Sequence, residues 1–150
     1  MLDPHRRLLS RREAQREAIR RASTYAHFSQ SQPLYLNKAV GTPLNAYEWA
    51  VADYFEKPRV LQIDIGEWTG GVGQTIRIEA RDSLMVLHVS VKIRDTSFIL
   101  EEGEAKRNKT EPFGWIYTTR TPIQLKPGIW LDVVAYDLPG NTGENFLVVK

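Results

Sequence analysis

The stretch Ile129-Trp130-Leu131-Asp132-Val133-Val134-Ala135-Tyr136-Asp137-Leu138-Pro139-Gly140-Asn141 decides the fold. Its first nine residues have the β-branched and aromatic composition of a strand, and they run straight into a Pro-Gly turn. A second apolar segment, residues 146–149, follows. Two such runs around a tight turn are the pattern of an antiparallel hairpin.

Working back from that hairpin, a side-chain period of two holds as far as Pro58. The candidate strands are residues 60–65, 75–81, 85–94, 98–105, 114–119, 129–137 and 146–149. Ile76, Ile78 and Ala80 point one way while Arg77, Glu79 and Arg81 point the other. Leu87, Val89, Val91 and Ile93 likewise oppose His88, Ser90, Lys92 and Arg94. Seven strands separated by polar turns predict a mainly β fold, a seven-stranded antiparallel sandwich over residues 59–150.

Before Pro58 the period changes to that of a helix. Ser10 with Glu13 three residues on is a capping box, and no Pro or Gly interrupts the chain from there to Phe28. Ala14, Ala18, Ile19, Ala22, Tyr25 and Ala26 share one side of this helix, and Arg12, Arg16 and Arg20 the other. Residues 29–43 read as a polar linker. A second helix opens at Asn45, and Tyr47, Ala50, Val51, Tyr54 and Phe55 form the stripe of a helix laid against a core. Residues 1–58 are therefore expected to be a two-helix N-terminal extension. It is not expected to be independent, because the aromatic stripe needs cover.

Residues 74–150 resemble a bacterial immunoglobulin-like (Big-type) domain. The resemblance is carried by Ile76-x-Ile78-x-Ala80-x-Asp82, Val89-x-Val91-x-Ile93-x-Asp95 and Val133-x-Ala135-x-Asp137 before Pro139-Gly140-Asn141. It implies an immunoglobulin-like sandwich and attaches no activity to it.

Composition narrows the functions. The chain has 150 residues and no Cys, which excludes disulfides, thiolate catalysis and Cys-ligated zinc. Residues 1–30 hold seven Arg against Asp3, Glu13 and Glu17, so a net +4 there is offset by −2 over the rest. Such asymmetry marks either an arm for an acidic partner or a solvated helix face. Met1 to Arg7 lead into charge rather than an apolar core, unlike a secretory leader, and no run reaches the length of a membrane span. The expected location is the cytoplasm of a bacterial-type cell.

No motif for chemistry stands out. The Gly-rich loop from Gly66 to Gly73 lacks a following Lys-Ser/Thr and leads into a strand, so it reads as a strand connection. His5, His27 and His88 are scattered. Asp82, Asp95 and Asp137 end strands and Asp132 lies within one, where turn capping is the commoner role and cation binding the rarer one. Glu101, Glu102 and Glu104 read as charges guarding an edge strand. Trp68, Phe113, Trp115, Tyr117, Trp130 and Tyr136 read first as packing residues, with a sugar or peptide platform as the alternative.

The sequence thus points to a non-enzymatic interaction or structural protein with no catalytic residue, metal or cofactor. Its partner is expected to be a protein or a second copy of the chain. The candidate partner-binding residues are Arg12, Arg16, Arg20 and Trp68. Nucleic-acid binding by the Arg-rich first helix is the alternative, weakened by the lack of interleaved aromatics.

Overall fold

The computed structural model describes residues 10–150, which fall into two compact units divided between Phe55 and Glu56. The reading of Met1 to Arg7, and with it His5, lies outside the described residues. Among the described residues, no helix is long and apolar enough to cross a membrane.

In the helical unit, α1 (Arg11–Ser29) opens on the capping box. Ser10 Oγ accepts from the Glu13 amide at 3.1 Å, and Glu13 Oε2 accepts from the Ser10 amide at 3.2 Å. Of the expected inner face of α1, Ala22 and Ala26 are buried, whereas Ala14 and Ile19 are exposed. The expected linker contains a helix of its own, α2 (Pro33–Ala39), so the described residues of this unit form three helices rather than two. Pro33 fixes the first-turn dihedral, and no breaker follows until Gly41. The third helix, α3 (Ala46–Phe55), is capped by Asn45, whose Oδ1 accepts from the Glu48 amide at 2.8 Å.

The interior of this unit is partly polar. The Tyr35 hydroxyl donates to Asp53 at 2.6 Å and meets the Tyr25 hydroxyl at 2.5 Å. Burial, then the bond to Asp53, raises the Tyr35 pKa far above its ordinary value, so this phenol stays a donor. The aromatic stripe is less buried than the spacing predicts. Tyr47 and Tyr54 are half-buried and Phe55 is 52% exposed, whereas Ala50 and Asp53 are buried. The buried face is therefore the one carrying the small residue and the hydrogen-bonded carboxylate.

The second unit is a β-sandwich of two four-stranded antiparallel sheets. The first sheet orders β1 (Arg59–Asp64), β2 (Thr75–Arg81), β6 (Gly114–Thr118) and β5 (Lys106–Arg107). The second orders β4 (Ile99–Glu104), β3 (Val86–Arg94), β7 (Trp130–Asp137) and β8 (Thr142–Val148). There are eight strands, not seven. The additional one arises where the segment expected to end at Ala105 crosses between sheets. The Ala105 amide donates to the Val89 carbonyl at 2.9 Å, and Lys106 and Arg107 then pair with β6.

Val133 and Ala135, both fully buried, pack with Leu131, Val89, Val91 and Ile93 against Ile76, Ile78 and Trp115. Each large apolar side chain so buried stabilises by about 1.5–3 kcal/mol. The expected inward face of β3 is corrected at one end. The register shifts between Val86 and His88, so Val86 is buried and Leu87 is 43% exposed. A bulge of this kind adds a residue that period-two reading cannot register.

One seam of the sandwich is closed by backbone proximity. A Cβ at Gly143 would lie 1.8 Å from the Pro58 carbonyl oxygen, so β8 approaches β1 this closely only because residue 143 is Gly. Asn145 Nδ2 also donates to the Val60 carbonyl at 3.1 Å. In the β5–β6 turn, closed by the Gly114 amide on the Glu111 carbonyl at 3.1 Å, Phe113 holds φ 67°. A residue with a Cβ in this left-handed region costs roughly 1–2 kcal/mol.

Candidate functional site

The outer face of the second sheet gathers aromatic and charged side chains into one arrangement. Antiparallel register places Arg94 opposite Trp130, and Asp132 opposite Phe146. Arg94 Nε bonds Asp132 Oδ2 at 2.6 Å, which fixes the guanidinium. Its Cζ then lies 4.5 Å from the Trp130 ring centroid. Trp130 stacks in turn on Phe146, with centroids 5.6 Å apart and planes at 17°. Cation–π contact contributes about 0.5–1 kcal/mol at exposed sites, and ring stacking about 0.5–1.5 kcal/mol. The ladder ends on Phe146, which is 58% exposed. On the same face His88 stacks on Tyr136 at 4.2 Å, and His88 Nδ1 lies 3.3 Å from Glu104 Oε2 without hydrogen-bond geometry.

Of the strand-end aspartates, Asp82 and Asp137 converge, each offering a carboxylate oxygen within 4.8 Å of the other. Asp137 is buried, and Asn141 donates to it through its amide at 2.6 Å and its Nδ2 at 3.1 Å. Burial raises Asp82 to about 6, the Asp137 charge adding to it and the Ser83 amide opposing it. Asp137 is raised as well, chiefly by burial. Such a pair can share a proton. Asp95 is elsewhere and caps its turn by accepting from the Ser97 and Phe98 amides, which hold it below its ordinary value.

The candidates named from sequence do not form one site. Arg12, Arg16 and Arg20 are exposed on α1. Arg20 and Arg21 both pair with Glu17, while Arg12 and Arg16 make no ion pair with a described residue. Trp68 is a correction. It is 3% exposed and belongs to the sandwich core, so it offers nothing to a partner. The Gly-rich loop around it is pinned rather than free: Gln74 Oε1 accepts from the Thr69 and Gly71 amides at 2.7 and 3.0 Å.

Glu101 is a second correction. It does not guard an edge but is buried, accepting from the Tyr117 hydroxyl and from the Arg120 and Thr121 amides, the last at 2.6 Å. Burial alone would raise its pKa, but these donors outweigh that and hold it below the ordinary value. Tyr117, by burial and by its bond to Glu101, is pushed up to about 12. Alternation on β4 placed Glu101 opposite Glu102, and that was the available signal that one of these carboxylates faces inward.

No protein-family model and no curated protein matches this chain. Among solved structures it is similar to CopC from Methylosinus trichosporium OB3b, at 13% identity and TM-score 0.42, over 61% of this chain and 89% of that one. It is also similar to a superoxide reductase in the oxidised state, at 9% identity and TM-score 0.33, over 63% of this chain and 88% of that one. At these values neither likeness carries an argument about activity. The class that the fold itself defines is a two-sheet antiparallel β-sandwich preceded by helices.

Proposed function

We propose that this chain is a non-enzymatic protein-binding module, its sandwich of the immunoglobulin-like, Big-type kind. The docking surface is the outer face of the β4-β3-β7-β8 sheet. The observation that supports this reading is the Asp132–Arg94–Trp130–Phe146 ladder. Its inner members are fixed by a carboxylate and by stacking, and its last ring is open to solvent. Rigid aromatic and arginine side chains are the residues that dominate protein interfaces, because they bury much area at small entropic cost. The partner is another protein or a second copy of this chain.

A photo-crosslinking side chain at position 146, introduced in the native host, tests the proposal. A discrete protein adduct that disappears on Arg94→Ala is the expected result. If position 146 gives no protein adduct, the reading fails. Salt-sensitive binding of duplex DNA, lost in the Arg12→Glu, Arg16→Glu double variant, would instead assign the function to α1.

A further inference from the structure

The outer side of the first sheet carries a separate cleft of about 360 Å³, bordered by Lys57, Arg59, Arg81, Ser83 and Phe113. That volume lies in the range of small-ligand sites. Two features of its walls are unexplained by folding alone. The first is Phe113, which keeps a bulky ring at φ 67° and 48% exposed, where a Gly would sit without strain. The second is the pair Lys57 and Arg59, both exposed and without an ion-pair partner among the described residues.

We propose that this cleft binds a small phosphate monoester carrying a flat ring, the ring lying against Phe113 and the phosphate against Lys57 and Arg59. Arg81 joins the two halves. Glu79 Oε1 holds it at 2.9 Å, and its Cζ lies 4.3 Å from the Phe113 ring centroid, so guanidinium and ring form one fixed wall. The carboxylates nearby offer little competition. Asp82 turns one oxygen to the Ser83 amide at 2.7 Å and buries the other. Glu56 and Asp82 border the cleft as well, two carboxylates against the three cations Lys57, Arg59 and Arg81. Dianionic phosphate complements paired cations, and a ring face adds stacking that tolerates many ring types.

Titration calorimetry on the full chain tests this with adenosine monophosphate and phenyl phosphate as ring-bearing probes and inorganic phosphate as the ringless one. Both ring-bearing probes should bind at least about tenfold more tightly than inorganic phosphate. Lys57→Glu with Arg59→Glu should weaken them at least about tenfold at an unchanged thermal midpoint. Phe113→Gly relieves the turn, so it should raise the midpoint while weakening the ring-bearing probes at least about fivefold. The proposal is overturned if neither ring-bearing probe binds at millimolar concentration. It is equally overturned if Phe113→Gly leaves their affinity unchanged.

Discussion

Asp82, in the turn after β2, and Asp137, at the end of β7, hold carboxylate oxygens within 4.8 Å of each other. Burial raises both above their ordinary values, Asp82 to about 6. A carboxyl whose folded pKa exceeds its unfolded value of about 3.9 is strained when ionised. Well above pH 6 both states are ionised and the native state bears the full cost. As pH falls through 6 the folded protein takes up a proton that the unfolded chain does not, so stability rises. The thermal midpoint should therefore increase by a few degrees between pH 7.5 and pH 5. Asp82→Asn should raise it at pH 7.5 and flatten the dependence. A midpoint that falls steadily over this window in the wild type would rule out the raised pair.

Glu101, on β4 of the second sheet, ties that sheet to Tyr117 on β6 of the first and to the residues that follow β6. Its carboxylate serves the buried Tyr117 hydroxyl and the partly buried amides of Arg120 and Thr121, so Glu101→Ala leaves one buried donor and two partly buried ones without this acceptor. Each unmet buried donor costs about 1–3 kcal/mol. Urea unfolding should show a loss of at least ~2 kcal/mol for Glu101→Ala and ~1 kcal/mol for Tyr117→Phe. A change near zero for Glu101→Ala would return Glu101 to the role of an exposed edge charge.

Adjacent valines on β7 test the register. Val133 is fully buried, while Val134 is half-buried on the outer face. An unpaired carboxylate in an apolar core costs several kcal/mol, against a total stability of about 5–15 kcal/mol. Val133→Asp should unfold the sandwich, and Val134→Asp should leave a cooperative transition within ~1 kcal/mol of wild type. Circular dichroism melts of the two variants decide it, and equal effects would contradict the alternation.

The inward residues of β2 and β7 were legible because period two survives wherever a strand pairs without interruption. Leu87 was misplaced because a bulge adds one residue and reverses the face. The extra strand Lys106–Arg107 was hidden because two residues carry no periodicity, and its partner β6 is distant in sequence. Among the candidate sites, Trp68 lies in a strand connection, where no side-chain period tells an inward face from an outward one. Its burial depends on Gln74 fastening the loop and on Gly70 adopting φ 97°, neither of which a local pattern reveals. The Arg94–Trp130–Phe146 ladder needs the pairing of β3, β7 and β8, so only its Trp130–Tyr136 face was readable along the strand.

Gly143 provides the last test, because it is where β8 meets the chain entering β1. A Cβ there would sit 1.8 Å from the Pro58 carbonyl oxygen and 2.7 Å from its carbon, and backbone cannot yield as a flexible side chain would. Gly143→Ala must therefore push the two segments apart and break the Asn145 bond to the Val60 carbonyl. Two effects follow from that separation. Packing loss and an unmade hydrogen bond should lower stability by about 2–3 kcal/mol. The bared edge of β8 should also offer unpaired backbone groups to other chains, a recognised route to aggregation. Denaturant unfolding and light scattering against concentration measure the two independently. If Gly143→Ala matches the wild type in both stability and monodispersity, the close approach of β8 to β1 does not close this seam.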